Sequence, residues 1–304
     1  MTPLAPAAVR AIRLVNFLVA HPAEAFTLSE LCQRLDINRA SALRVLGALT
    51  AAGYLERHPR HLTYTLGVTL VAVGQAAAIR HPAVRVAQAE MEALADALGV
   101  QCEAVTVDDS GTLVIGEAGT GNPSIGTRLP RLPTVGLAHW AFAAEARREE
   151  WLSTTPFSAS QAKILRRALE TIRERGFAMA VEGPARDAMH HQLQTLADMP
   201  NDKDAIEQLR RLWSDATPGE IQQLEIVRSH EYRVAYLAAP VFDPESQVSL
   251  EIVMRNLPEQ LSGQQVLDLA DRLRTVSGSI TRRTHGRAPD PAPRPRSASG
   301  RRSK

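Results

Sequence analysis

The sequence predicts two folded units joined by a helix: an N-terminal winged helix-turn-helix and a larger α+β domain behind it. Three observations predict this. Three helical periods run before any strand pattern, a short hairpin with a basic tip follows them, and strand-turn-strand patterns then alternate with helices over the rest of the chain. A chain of 304 residues, 44% apolar and 22% charged, has the size and composition of about two globular domains rather than of a disordered, collagen-like or coiled-coil protein.

The first helix spans Ala7 to Ala20, where Val9, Ile12, Leu14, Val15, Phe17, Leu18 and Val19 recur at helical spacing and His21-Pro22 closes the run. Thr27 followed by Glu30 is a capping box, and Leu28, Leu31 and Leu35 supply the inner face of a short second helix. Asn38 caps a third helix from Arg39 to about Ala52, with Leu43, Leu46 and Leu49 set inward and Gly53 as the left-handed exit. Tyr54 to Arg57 and Leu62 to Leu66 then read as two strands around the tip His58-Pro59-Arg60-His61.

With that inner face, Ser41, Arg44 and Ala48 share the opposite side of the third helix. Small residues let a helix settle into a DNA major groove, and an arginine there reaches guanine or phosphate. Asn38 and Arg39 sit at the helix N-terminus, which attracts phosphate. Arg57, Arg60 and His61 on the hairpin are placed for the neighbouring backbone or minor groove. Charge distribution agrees: the net charge of +2 divides into +3 over residues 1–68, −6 over 69–286 and +5 over 287–304. The plain alternative is a small helical bundle with a solvated charged face.

Residues 11–67 resemble the DNA-binding domain of IclR-type (isocitrate lyase regulator) bacterial transcription regulators. The resemblance is carried by Arg10-Ala11-Ile12 with Leu14, by Thr27-Leu28-Ser29-Glu30-Leu31, and by Ile37 to Leu46. Gly53-Tyr54-Leu55 and Tyr64-Thr65-Leu66-Gly67 complete it. It implies DNA contacts from Arg39, Ser41 and Arg44, and the matching segments add Thr27, Ser29 and Ala40. It also implies a dimer or dimer of dimers on an inverted-repeat operator of double-stranded DNA, with repression and activation both open.

Beyond the reader, Gly67 to Ile79 and Val84 to Leu98 read as helices separated by His81-Pro82. Strand hairpins follow at 102–117 and 234–254, with a helix through Gly136 to Ala146 and a final helix from Gly263 to about Arg282. The predicted domains are therefore 1–67, a linker helix at 68–82, an α+β domain at 83–285 and a basic, Pro-rich tail at 286–304 that composition marks as disordered. The tail either adds salt-sensitive DNA affinity or serves only solubility.

The larger domain is similar to the GAF-like effector-binding domain of the same family, at Arg173 to Ala178 and at Leu237 to Asp243. The resemblance implies a small-molecule effector and places Gly136, Ala138, Trp140, Glu182, Tyr236 and Val253 nearest to it. It fails where the family has a cysteine and serines, since Tyr236, Val253 and Arg255 stand there instead. Residues 183–223 look like a helical insertion, which either lids the pocket for a larger or more apolar ligand or is an inert elaboration. Trp140 and Phe142 read as core packing rather than as ligand stackers.

No chemistry of a known enzyme motif is legible. The glycines of 119–126 lack phosphate-loop spacing, neither a Gly-x-Ser-x-Gly elbow nor an HExxH occurs, and Asp187, His190 and His191 lack the spacing of a zinc site. Cys32 and Cys102 read as buried thiols. The expectation is a protein without cofactor or metal. No stretch reaches the roughly 20 apolar residues of a membrane span, and the N-terminus lacks signal-peptide character, which points to the cytoplasm. The competing class is a small-molecule enzyme or interaction module whose winged helix serves dimerisation.

Overall fold

The computed structural model describes residues 5–108, 111–121, 125–130, 136–154, 159–199 and 202–289. The 290–304 part of the tail and Asp109-Ser110 in the predicted hairpin turn lie outside them, as do the side chains of His190 and Trp213.

The N-terminal unit contains α1 (Pro6–Ala20), β1 (Phe26–Thr27), α2 (Leu28–Leu35), α3 (Arg39–Ala51), β2 (Leu55–Arg57) and β3 (Thr63–Leu66). The capping box forms as predicted: the Thr27 hydroxyl accepts the Glu30 N–H at 3.3 Å while the Glu30 carboxylate accepts the Thr27 N–H at 2.7 Å. Asn38 caps α3 by accepting the Ser41 N–H at 2.9 Å. β1 pairs antiparallel with β3 and completes a three-stranded sheet in the order β1-β3-β2. At two residues, β1 is too short for periodicity to reveal.

One helix face differs from the prediction. The core of Leu14, Phe17, Leu18, Leu31, Leu35 and Tyr64 buries Ala42 and Leu46 of α3, with Val45 and Leu49 partly covered. Leu43 is instead 52% exposed. Ala42, Val45, Leu46 and Leu49 share one arc of about 100° that leaves Leu43 beyond its edge, and the small Ala42 lets α3 approach its neighbours closely, so the helix rolls toward Ala42.

Gly53 has φ +72°, the predicted left-handed exit. At Gly67 a Cβ would lie 2.3 Å from the Gly53 carbonyl oxygen, so this position requires glycine for a close backbone crossing. The chain then enters α4 (Thr69–Arg80), breaks at His81 and continues as α5 (Pro82–Leu98), which ends at Gly99 with φ +67°.

The C-terminal unit is built on a six-stranded antiparallel sheet. Its elements are β4 (Gln101–Asp108), β5 (Gly111–Ala118), β6 (Arg128–Pro130), α6 (Leu137–Phe142), α7 (Glu145–Thr154), α8 (Ala159–Arg175) and β7 (Ala178–Val181). They continue with α9 (Pro184–Asp198), α10 (Lys203–Asp215), α11 (Pro218–Ile221), β8 (Glu231–Tyr232), β9 (Val234–Phe242), β10 (Val248–Arg255), β11 (Leu261–Ser262) and α12 (Gly263–Arg283). The sheet order is β6-β5-β4-β10-β9-β7, and β8 pairs with β11 apart from it. The helix predicted through 136–146 is two: α6 stops where Ala143 turns extended, and α7 restarts at Glu145.

Alternation along β9 sorts the sheet into two faces. Leu237, Ala239 and Val241 join α5 and α12 in one core, whereas Ala238 joins α6, α7 and α8 in the other, with Tyr236 packed against it. The 183–223 segment is helical as predicted. It is no surface ornament, because α9, α10 and α11 contribute Ala185, Met189, Leu196, Ala205, Leu209 and Ile221 to that second core.

Truncating Leu46 to alanine, at a fully buried position, is expected to cost about 2–5 kcal/mol in the unfolding transition of the N-terminal unit. Leu43→Ala should change it by less than about 0.5 kcal/mol. Urea titration of both variants checks the roll of α3; equal losses would contradict it.

Candidate nucleic-acid interface and effector face

The roll of α3 decides what it presents. Arg39, Ala40, Leu43, Arg44, Gly47 and Ala48 are exposed, and Ser41 is half-buried at the margin. Arg39 and Arg44 thus flank a strip made mostly of small residues, open enough for a helix to enter a major groove. Ser41 and Ala48, expected on the same face, lie toward α1, while Leu43 and Gly47 are the central positions that leucine spacing concealed.

The first turns of α2 and α3 are tied together, since Arg39 donates to the Ser29 hydroxyl at 3.1 Å. Thr27 is occupied locally: its hydroxyl also donates to the Glu30 carboxylate at 2.8 Å, and these bonds hold the Glu30 carboxyl below its usual range. Its role in the site is therefore to cap α2, whose N-terminal amides carry partial positive charge.

The β2–β3 hairpin carries Arg57, Arg60 and His61, all exposed. Its tip is organised by His58, whose Nδ1 accepts N–H bonds from Arg60 at 3.3 Å and His61 at 3.1 Å. The His58 and His61 rings lie 4.5 Å apart, and the Arg57 guanidinium lies 5.6 Å from the ring centre of Tyr64, which is buried. His58 is a residue that sequence reasoning missed. Its signal was a histidine two and three positions before residues whose amides a turn leaves without partners.

In the C-terminal unit, Tyr236 of β9 and Glu251, Val253 and Arg255 of β10 share a face with Glu103 of β4, set by the pairings Val253 with Glu103 and with Ala238. Glu251 is 2% exposed, and its carboxylate accepts the His139 N–H in α6. Burial pushes the Glu251 carboxyl up to about 7 against the pull of that bond. His139 is pushed down to about 4 by burial and by Arg147. Arg255 reaches Glu103 at 3.6 Å.

Arg186 in the first turn of α9 lies 4.9 Å from the Tyr236 ring centre and donates from Nε to the Glu220 carbonyl at 2.8 Å. Burial lowers the Arg186 pKa and raises that of the Tyr236 phenol. Glu220 braces the segment: its carboxylate accepts the Ala185 N–H at 2.9 Å and the Thr217 N–H at 2.8 Å. Burial opposes its charge, yet these amides hold the carboxyl below its usual range. Beside Arg186 opens a cleft of about 470 Å³ lined by Glu182, Arg233, Arg255 and Glu259.

The six residues expected near an effector are distributed unevenly. Ala138, Trp140, Tyr236 and Val253 meet around one core, Gly136 starts α6 at φ +75°, and Glu182 borders the cleft. Trp140 stacks on Trp151 at 4.9 Å inside that core, and Phe142 meets Phe242 edge-on at 5.0 Å. Arg186 and Glu251 join the site without having been singled out, because each depends on a fold contact remote in sequence. Cys102 is buried, its thiol pushed up to about 12 by burial, and Cys32 is half-buried. Among the described residues no three His, Cys, Asp or Glu side chains converge as metal ligands.

Comparison with known proteins places this geometry. Residues 7–59 match the IclR helix-turn-helix domain. An IclR transcriptional regulator from Alicyclobacillus acidocaldarius aligns with TM-score 0.64 at 21% identity, covering 93% of this chain and 100% of its own. An IclR homolog from Microbacterium hydrocarbonoxydans, complexed with 4-hydroxybenzoate, aligns at 0.60 and 18% identity, covering 91% and 98%. Pseudomonas aeruginosa HmgR aligns at 0.56 and 22%, covering 92% and 99%. At these identities the likeness is one of fold, and it extends over nearly the whole chain. No curated protein matches the sequence.

The buried carboxyl makes stability pH-dependent. Unfolded, Glu251 loses its proton near 4.5, and folded near 7, so its contribution is complete below 4.5 and is lost as pH rises to about 7. The loss amounts to about 3 kcal/mol. Glu251→Gln keeps an acceptor for His139 and is expected to flatten this fall, raising stability at pH 8 by about 1–3 kcal/mol. Urea midpoints of both proteins from pH 5 to pH 8 check it, and parallel curves would refute it.

Proposed function

We propose that this chain is a transcriptional regulator of the IclR type, as its match to that helix-turn-helix domain and its fold support, and that it reads an inverted-repeat DNA operator as a dimer or dimer of dimers and releases or engages it in response to a small-molecule effector. The observation that carries the reading is the solvent-facing side of α3, where Arg39, Ala40 and Arg44 stand beside a wing bearing Arg57, Arg60 and His61. In this reading α3 enters the major groove, Arg44 contacts a base edge, and the wing holds phosphates on the flank.

Self-association is supported by α4. None of its residues is buried, although Val71 and Ile79 are 58% and 73% exposed. A helix with that much unpartnered apolar surface gains from a second copy. Dimerisation there would set the spacing of two readers at about one DNA turn.

The effector is assigned to the Tyr236–Glu251 face and its cleft, where α6 and α9 meet the sheet. That the Microbacterium homolog is complexed with 4-hydroxybenzoate supports a small-molecule effector for this fold. Ligand occupancy would bias the placement of the readers through α4, with a coupling of about 1–3 kcal/mol. This is a binding protein of the cytoplasm in which no residue is given a catalytic role; none of its described helices is long and apolar enough to cross a membrane.

Selection of a random duplex library by the full-length protein tests the reading: an enriched inverted repeat is expected, and a pool that stays random would overturn it. On the selected site, Arg44→Ala should weaken cognate binding by about 1–3 kcal/mol and relax selectivity, whereas Arg60→Ala should weaken cognate and random DNA alike. Ile79→Asp should shift the protein toward monomer in sedimentation velocity and weaken operator binding.

A further inference from the structure

We propose that the groove between α1 and α3 seats one sugar–phosphate strand of bound DNA, with Arg10 as a phosphate contact inside it. The inference rests on α3 entering the major groove and extends the footprint to a helix that reading leaves unused.

The groove has a volume of about 620 Å³. From α1 it is lined by Ala7, Arg10 and Ala11, and from α3 by Ser41, Arg44 and Ala48. Its floor is apolar, made of alanine methyl groups that a strand can approach closely together with Val45, Leu49 and Tyr54. Its charged lining groups are two arginines, one from each helix, and no acid lines it among the described residues. A groove of that charge and shape is complementary to a polyanion rather than to another basic surface.

Position points the same way. A helix in the major groove runs between two phosphate walls about 12 Å apart, and stable docking needs a contact to each. On one flank of the exposed face of α3, Arg39 at the start of α3 stands against Ser29 in the first turn of α2. On the other flank, Ser41 and Ala48 turn toward α1, and there Arg10 is the cation that α1 offers. Without it, the described residues lining the α1 side of the footprint offer only Arg44, which the base-reading role directs to a base edge.

The test uses the full-length protein, its selected operator and a random duplex of equal length, titrated by fluorescence anisotropy over a salt series. Arg10→Ala is expected to bind both duplexes about five- to tenfold more weakly at ~0.15 M salt, with the log–log salt slope reduced by about 0.9, the value of one phosphate contact. Arg10→Lys should restore the slope, because a phosphate accepts a point charge where a bidentate base contact does not. Ala11→Glu, which sets a carboxylate on the groove floor, should weaken both duplexes further. Wild-type affinity and slope in Arg10→Ala would overturn the proposal. A changed association state with an unaltered slope would also overturn it and give the groove to a second copy of the chain. Wild-type protein without operator preference would defeat the DNA reading itself, whereas a selective wild type with an indifferent Arg10→Ala would defeat only the groove.

Discussion

What the reader can present to a duplex is set by how α3 is rolled onto α1 and α2, and that roll is set by the burial of Ala42 and Leu46. Ala42 has too little side chain to hold the helices apart, so α3 sits close and turns Leu43 outward. The same contact carries Arg39 to the Ser29 hydroxyl and leaves Arg44 on the open side next to α1. One packing angle thereby fixes which strip of α3 is exposed and which residues stand on its two flanks.

In the larger domain the comparable constraint is the alternation of β9 and β10. One set of side chains, Leu237, Ala239, Ile252 and Met254, closes an apolar core under α5 and α12. The other set, Tyr236, Glu251 and Arg255, must then face α6 and α9, where polar groups are taken out of water. Each has a partner: the His139 amide for Glu251, the Arg186 guanidinium for Tyr236 and Glu103 for Arg255. Polar groups taken out of water and each given a partner hold such a face in one arrangement, because leaving any of them unpaired is costly.

The helical insertion ties these features together. Arg186 begins α9 and Glu220 lies in α11, so the contact that covers Tyr236 and the carboxylate that satisfies the N-terminal amides of α9 come from the two ends of one segment. Its apolar residues complete the core around Trp140 and Trp151. The segment is therefore part of the core that backs the Tyr236–Glu251 face and is not an addition to it.

Much of the reader was legible because its signals are local. Thr27 with Glu30, Asn38 before α3, Gly53 at its exit and His81-Pro82 at the elbow each act within a few residues, and the structure places a cap, exit or break at each. The fold class followed from such periods and caps, and the family resemblance from their order. What the sequence could not decide is which arc of α3 is buried, because three leucines spaced over that arc fit two rolls and only the size of the facing core chooses between them. It also could not place β1, Arg186, Glu251 or the α1–α3 groove. Pairing Phe26 with Tyr64, Arg186 with Tyr236, Glu251 with the His139 amide and Arg10 with the flank of α3 brings together residues far apart in the chain. Such contacts are set by the packing of whole elements, and local chemistry carries no record of them.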